Sequence, residues 1–164
     1  MPCDHYHHSA GGREAAGRTR AGGGGAPRPI ALWLQGGAHF LSNFSFARRA
    51  FYEPNVAKAR QLAKRCGNAS LVVLLSGLNA QDRVLDALYP RQSRENASTF
   101  NEELRAYAHA EGAHFVDYLN LTRDAPTSDG YHYLSDVNLA KADVLLHLLR
   151  VSFQEGEAPT TPSF

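Results

Sequence analysis

The chain has 164 residues, 43% of them apolar, with 17 Lys and Arg against 16 Asp and Glu for a formal charge of +1. That length holds one domain and that apolar share is enough for a core, while the near-neutral charge argues against a nucleic-acid footprint or a polybasic membrane surface. No apolar run approaches the ~18 residues of a membrane span.

Residues 1–29 are rich in Gly, Ala and Arg and lack any core-forming pattern, so they are expected to be disordered. The stretch CDHYHH gathers a thiol and imidazoles, yet nothing there would fix a coordination geometry. Order is expected from Ile30, where IALWL (30–34) is an apolar run ending at Gly36-Gly37. A run of this kind fits a strand buried on both faces, as in a parallel sheet. The segment EPNVAKARQLAKRCGN then predicts a helix. Pro54 suits its first turn, Val56, Ala59, Leu62 and Ala63 form its apolar stripe, and Gly67 stops it. Leu71 to Leu75 predicts a second buried strand.

After a polar loop, STFNEELRAYAHAEG predicts a helix with a capping box at Thr99 and Glu102. Its buried face runs through Phe100, Leu104, Tyr107 and Ala108, and Gly112 is its terminator. AHFVDYLNL predicts a third strand centred on Phe115 and Val116. A last helix is expected from about Ser135 to Arg150, its face running through Val137, Ala140, Val144, Leu145 and Leu148, with residues 151–164 a flexible tail. Strands and helices alternating at this spacing mean an α/β fold. A parallel sheet flanked by helices, a three-layer sandwich, is the expected architecture over residues 30–150. Sites in such sheets gather at the carboxyl ends of the strands.

Two segments follow such ends and carry chemistry. In SDGYH, Asp129 and His132 stand three apart across a tight turn. A carboxylate that accepts the Nδ1 proton of an imidazole fixes its tautomer and leaves Nε2 as the base. The same pair also suits a purely structural reading, in which Asp129 stabilises the loop and His132 packs. In QGGAHF, glycine backbone N–H groups at Gly37 and the side chain of His39 can approach a developing oxyanion, although a double glycine also makes a simple turn. His39, His109, His114, His132 and His147 show no metal-ligand spacing, and no P-loop or dinucleotide fingerprint is present.

Taken together, these blocks and the strand order resemble the later part of the SGNH (GDSL-type) hydrolases, in particular the PC-esterase branch acting on acylated glycans. Gly37-Ala38-His39 matches that branch's strand-G-x-H block, Asp129-Gly130-Tyr131-His132 its closing D-x-x-H, and NEELRAYAHAEGAHFVDYLNLT the helix-strand pair between them. The resemblance covers about residues 30–150. It implies a flavodoxin-like sheet, and esterase or O-acyltransferase activity on acyl, above all acetyl, esters of glycans or small esters, without metal or other cofactor. His132 would be the base, Asp129 its orienting group, and Gly37 and His39 oxyanion donors.

The family's first two blocks, which bring a Gly-Asp-Ser nucleophile and a glycine N–H, have no counterpart before Ile30. Ser9, Ser42 and Ser45 do not sit where the family places its serine. The chain is therefore expected to be a domain truncated at its N-terminus, with an exposed edge on the 30–34 strand and little activity as it stands, since losing a nucleophilic serine costs about a million-fold. A non-catalytic α/β domain binding a carbohydrate or protein partner is the alternative.

Two further expectations concern compartment. Asn43-Phe-Ser45, Asn68-Ala-Ser70, Asn96-Ala-Ser98 and Asn120-Leu-Thr122 are four glycosylation sequons where this composition gives about one by chance, which points to the secretory lumen despite a start with no signal-like apolar region. Of the two cysteines, Cys3 lies in the tail, and although a disulfide between them can form, a buried thiol suits Cys66 better.

Overall fold

The computed structural model describes residues 29–36, 40, 42–81, 90–129 and 132–156. In chain order these form β1 (Ile30–Leu34), α1 (Phe44–Ala47), a π-helical turn (Arg48–Tyr52), α2 (Glu53–Arg65), β2 (Leu71–Ser76), a 3₁₀ turn (Pro90–Gln92), α3 (Arg94–Ala110), β3 (His114–Val116), α4 (Tyr118–Leu121) and α5 (Ser135–Gly156).

The three strands make one parallel sheet in the order β1-β2-β3, with Ile30 opposite Leu71 and Leu74 opposite His114. This is the α/β organisation that the alternating pattern predicts. The central strand β2 explains its own composition: Val72, Val73, Leu74 and Leu75 are all buried because both faces are covered. On one face Leu34, Val73 and Leu75 pack with residues of α1, α2 and α3. On the other, Val72, Leu74, Val116 and Tyr118 pack against Leu145, Leu148, Leu149 and Phe153 of α5. Among the described residues nothing pairs with the far side of β1. Trp33 of β1 is 48% exposed, and its Nε1–H donates to Ser76 Oγ of β2 at 2.7 Å.

Four elements differ from expectation, each for a local reason. The helix expected from Glu53 is preceded without a break by α1 and the π-helical turn, whose Glu53 N–H reaches back to Arg48 O. Pro54 has no N–H to give the carbonyl four residues before it, and a widened turn lets the chain stay helical through that gap. The payoff is burial of Ala47 and of Phe44 and Tyr52, whose rings join Phe100 and Tyr107 in a cluster with centroids 5.5–6.5 Å apart. Helix α3 starts five residues before the expected capping box, capped by Ser93, whose side chain accepts from Asn96 N. Thr99 lies inside it and turns its hydroxyl back to Glu95 O. The third strand ends at Val116 because Asp117 caps α4 by accepting from Asn120 N.

Helix α5 runs on to Gly156, through residues expected to form part of the tail, because Phe153 still finds apolar contacts. Its buried stripe keeps Val137, Leu145 and Leu148, whereas Ala140 and Val144 face outward. Cys66 is corrected too. It sits at the C-cap of α2, past the apolar stripe, where it is half-buried and disulfide-bonded, not a buried thiol.

Beyond the carboxyl end of β2 the chain is held by side chains, not by a sheet. Asn101, buried in the middle of α3, accepts the Leu78 N–H at Oδ1 (2.6 Å) and donates Nδ2 to the Leu78 carbonyl (3.0 Å). Gly77 makes this approach possible, since a Cβ there would stand 2.8 Å from the Asn101 amide atoms. Replacing Asn101 by Ala strands two buried backbone groups and is expected to cost on the order of 2–3 kcal/mol in urea unfolding. Gly77→Ala should also destabilise, because the clamped amide cannot move aside without losing its bonds.

A second expectation concerns alkaline stability. Tyr52 is fully buried, and its hydroxyl meets no hydrogen-bond geometry among the described residues. Desolvation pushes the phenol from 10.0 up to about 12, with the nearby Gly36 backbone opposing only in part. The folded state thus holds this proton after the unfolded chain has released it. Stability is full below pH 10 and falls as pH rises towards 12, by roughly 2–3 kcal/mol for this group. Tyr52→Phe should flatten that decline in thermal unfolding scans across the same window.

Candidate functional site

The loop after α4 turns back on itself. Thr127 and Tyr133 form an antiparallel bridge, and Ser128 donates both its N–H (2.8 Å) and its hydroxyl (3.1 Å) to the His132 carbonyl. Inside this turn Asp129 holds His132 twice. Its Oδ1 accepts the His132 backbone N–H at 2.7 Å, and its Oδ2 lies 2.7 Å from His132 Nδ1. The backbone bond is an Asx-type lock on the loop, and the ring contact is the one expected from the D-x-x-H spacing. An ionised carboxylate at this distance draws the ring proton onto Nδ1, so Nε2 carries the lone pair. The pair is open to solvent, with side chains 74% exposed for His132 and 54% for Asp129. Water therefore screens the ion-pair component, and the contact orients the ring far more than it stabilises the fold. One carboxylate thus stabilises the loop and orients the imidazole, while His132 does not pack as the structural reading has it.

The residues expected to supply an oxyanion site, Gly37 and His39, lie outside the described residues, as do Gly130 and Tyr131 of the closing block. Gly36 is seen at the end of β1, where a Cβ would come within 2.9 Å of the Phe51 ring, so the first glycine of the pair is required by packing. Among the described residues the serine next to the dyad, Ser128, directs its hydroxyl to a carbonyl, and no group of three or more His, Cys, Asp or Glu is placed to hold a metal ion.

Beside the dyad loop lies a cavity of about 340 Å³ lined by residues such as Gln81, Arg94, Thr122, Asp124, Thr127 and Tyr133. Thr127 and Tyr133 are the bridge partners that bracket the dyad, so cavity and dyad share one wall. Thr122 ties its parts together. Its hydroxyl donates to Tyr118 O (2.6 Å) and accepts the Ala80 N–H (2.9 Å), while its carbonyl accepts from Tyr133 OH at 3.4 Å. Arg94, at the first turn of α3, donates to the Gln81 carbonyl. Burial raises the Tyr133 phenol above its usual 10.0, opposed by the Thr122 hydrogen bond and by the Arg94 charge, so it is a neutral donor at physiological pH.

Sequence reasoning missed this cavity because its lining comes from four separated segments. The one available signal was Arg94 directly after a Ser able to cap a helix. The architecture agrees with the rule that sites sit past the carboxyl ends of parallel strands, since Ala80 and Gln81 follow β2 and Thr122 follows β3 and α4.

The dyad geometry gives a direct expectation. Nitrogen-resolved NMR of the His132 ring at neutral pH should show the Nδ1–H tautomer dominating in the wild type. Asp129→Asn should lose that selection and change stability by only about 1 kcal/mol, in keeping with an exposed pair. A wild-type ring found mainly as Nε2–H would mean that the carboxylate does not orient it.

Among the described residues no helix is long and apolar enough to cross a membrane. Compared with protein-family models, curated proteins and solved structures, the chain matches none.

Proposed function

We propose that Asp129 and His132 are the orienting acid and the general base of an SGNH-like esterase or O-acyltransferase domain acting on acetyl or other acyl esters of glycans. The observation that carries this reading is the double grip of one carboxylate on one histidine, at 2.7 Å to the ring and 2.7 Å to the backbone. A three-strand parallel sheet with packed helices on both faces is compatible with the later half of a flavodoxin-like three-layer sandwich. In that sandwich the open side of β1 would receive the strand that ends in the nucleophilic serine.

In the proposed reaction Nε2 of His132 takes the proton of a serine hydroxyl from outside the described residues, and the serine oxygen attacks the ester carbonyl. The resulting oxyanion would be met by the Gly37 N–H and the His39 side chain. The histidine then returns its proton to the departing alcohol, and the acyl group passes to water or to a sugar hydroxyl. The open surface around the dyad has a consequence for this chemistry. Substrate must itself cover His132, or the field of Asp129 stays screened. The neighbouring cavity, polar and bordered by Gln81, Arg94 and Thr122, suits a hydroxyl-rich sugar better than a hydrocarbon chain.

A second reading is a domain that binds acylated glycan without cleaving it, since Ser128, the serine adjoining the dyad, directs its hydroxyl to the His132 carbonyl and is not poised as a nucleophile. One experiment separates the two. The chain is assayed with 4-nitrophenyl acetate and with acetylated oligosaccharides, alone and after joining to a segment bearing an apolar strand that ends in Gly-Asp-Ser. Turnover is expected only in the joined protein. It should fall by about 10⁴-fold in Asp129→Asn and further in His132→Ala. Turnover unchanged by His132→Ala would refute the assigned base, and saturable glycan binding without turnover would favour the binding domain.

A further inference from the structure

The four sequons are not equivalent once folded. In Asn120-Leu-Thr122 the asparagine amide is engaged at both ends, Nδ2 donating to Asp117 Oδ2 (2.7 Å) and Oδ1 accepting from Arg123 (2.6 Å). Its threonine is 1% exposed, with the hydroxyl shared between Tyr118 O and Ala80 N–H. Asn96 lies in the first turn of α3 and commits Nδ2 to the Pro90 carbonyl at 2.7 Å. Asn43 caps α1 through Oδ1, and the Phe44 that follows it is buried in the core.

Asn68 differs in that its side chain is uncommitted, although the Ala69 that follows it is also buried. It stands in the turn between α2 and β2, exposed, with a left-handed backbone (φ 58°) directly after Gly67 (φ 74°). Two successive left-handed residues lift the turn off the helix end, and a Cβ built on Gly67 meets nothing within 4 Å. Neither the Asn68 carboxamide nor the exposed Ser70 hydroxyl makes a hydrogen bond among the described residues, and only the Ser70 carbonyl is used, accepting from Ile30 N–H. The turn lies at the amino ends of β1 and β2, the opposite end of the sheet from the dyad and the cavity.

We propose that Asn68 is an N-glycan attachment site, and the sequon of the four that this fold leaves open to modification. The donor is an oligosaccharide linked through pyrophosphate to a polyprenol lipid, and the catalyst is the lumenal transferase of the host. Asn68 Nδ2 bonds to the sugar's anomeric carbon as the bond from that carbon to the pyrophosphate oxygen breaks. The lipid pyrophosphate leaves, and the amide proton passes to the transferase. No electron transfer is involved. A glycan here projects from the end of the sheet remote from His132, so it adds bulk and solubility without covering the candidate site.

The test does not depend on the acyl-transfer reading. The full 164-residue chain is carried into the secretory lumen of cultured cells by an added cleavable leader. A reporter sequon on a flexible C-terminal extension shows that it has entered. Peptide N-glycosidase treatment in heavy-oxygen water then marks every formerly glycosylated asparagine for mass spectrometry. With the reporter modified, Asn68 should be marked to the highest occupancy of the four. Asn68→Gln should remove one glycan's mobility shift, and Ser70→Thr should retain it. Ser70→Ala should abolish it while keeping the asparagine that the left-handed turn favours, so loss there cannot be blamed on a misfolded turn. An unmarked Asn68 beside a modified reporter overturns the proposal, as does higher occupancy at Asn43, Asn96 or Asn120 than at Asn68.

Discussion

The arrangement past the sheet depends on one side chain. Asn101 holds both the N–H and the carbonyl of Leu78, so the chain leaving β2 is fixed to the middle of α3. A buried amide that satisfies a peptide group on both sides acts as one more rung of secondary structure where no strand is available. The requirement then spreads. Gly77 has to be glycine for the amide to come close, Ala80 is carried to Thr122, and Thr122 anchors α4 and the Tyr133 end of the dyad loop. The wall shared by the cavity and the Asp129–His132 pair is thus held in place from α3 through a short series of hydrogen bonds.

The two ends of the sheet carry different features. Past the carboxyl ends lie the oriented histidine and a polar cavity. At the amino ends lies the left-handed turn with Asn68. Neither end asks much of the core, which is why an exposed imidazole can be oriented by one carboxylate without altering the burial of Leu74, Leu75 and Leu104.

Where periodicity is strong, the sequence was legible. Leu71 to Leu75 reads as a buried strand because β2 is covered on both faces, and Phe100, Leu104, Tyr107 and Ala108 read as one helix face because they are. The Asp129–His132 contact was legible for a different reason: three residues are few enough that a turn closes them locally. What pattern could not reach were features set by partners distant in the chain. Pro54 looks like a helix start until the burial of Phe44 and Tyr52 makes an upstream continuation worth a π turn. Thr99 and Glu102 satisfy the capping-box pattern, but Ser93 is free to cap earlier and Ala97 gains burial when it does. The cavity was invisible because no single segment makes it.

The register of the sheet has a kinetic side. Ile30 meets Leu71 and Leu74 meets His114, so each strand pairing closes a loop of about forty residues, and no hairpin supplies a local start. The helices, whose contacts are within a few residues, can fluctuate into place long before any ladder forms. Productive folding therefore waits on the docking of preformed helical segments against β2, the one strand that belongs to both pairings, which makes the middle of the chain the seed of the whole.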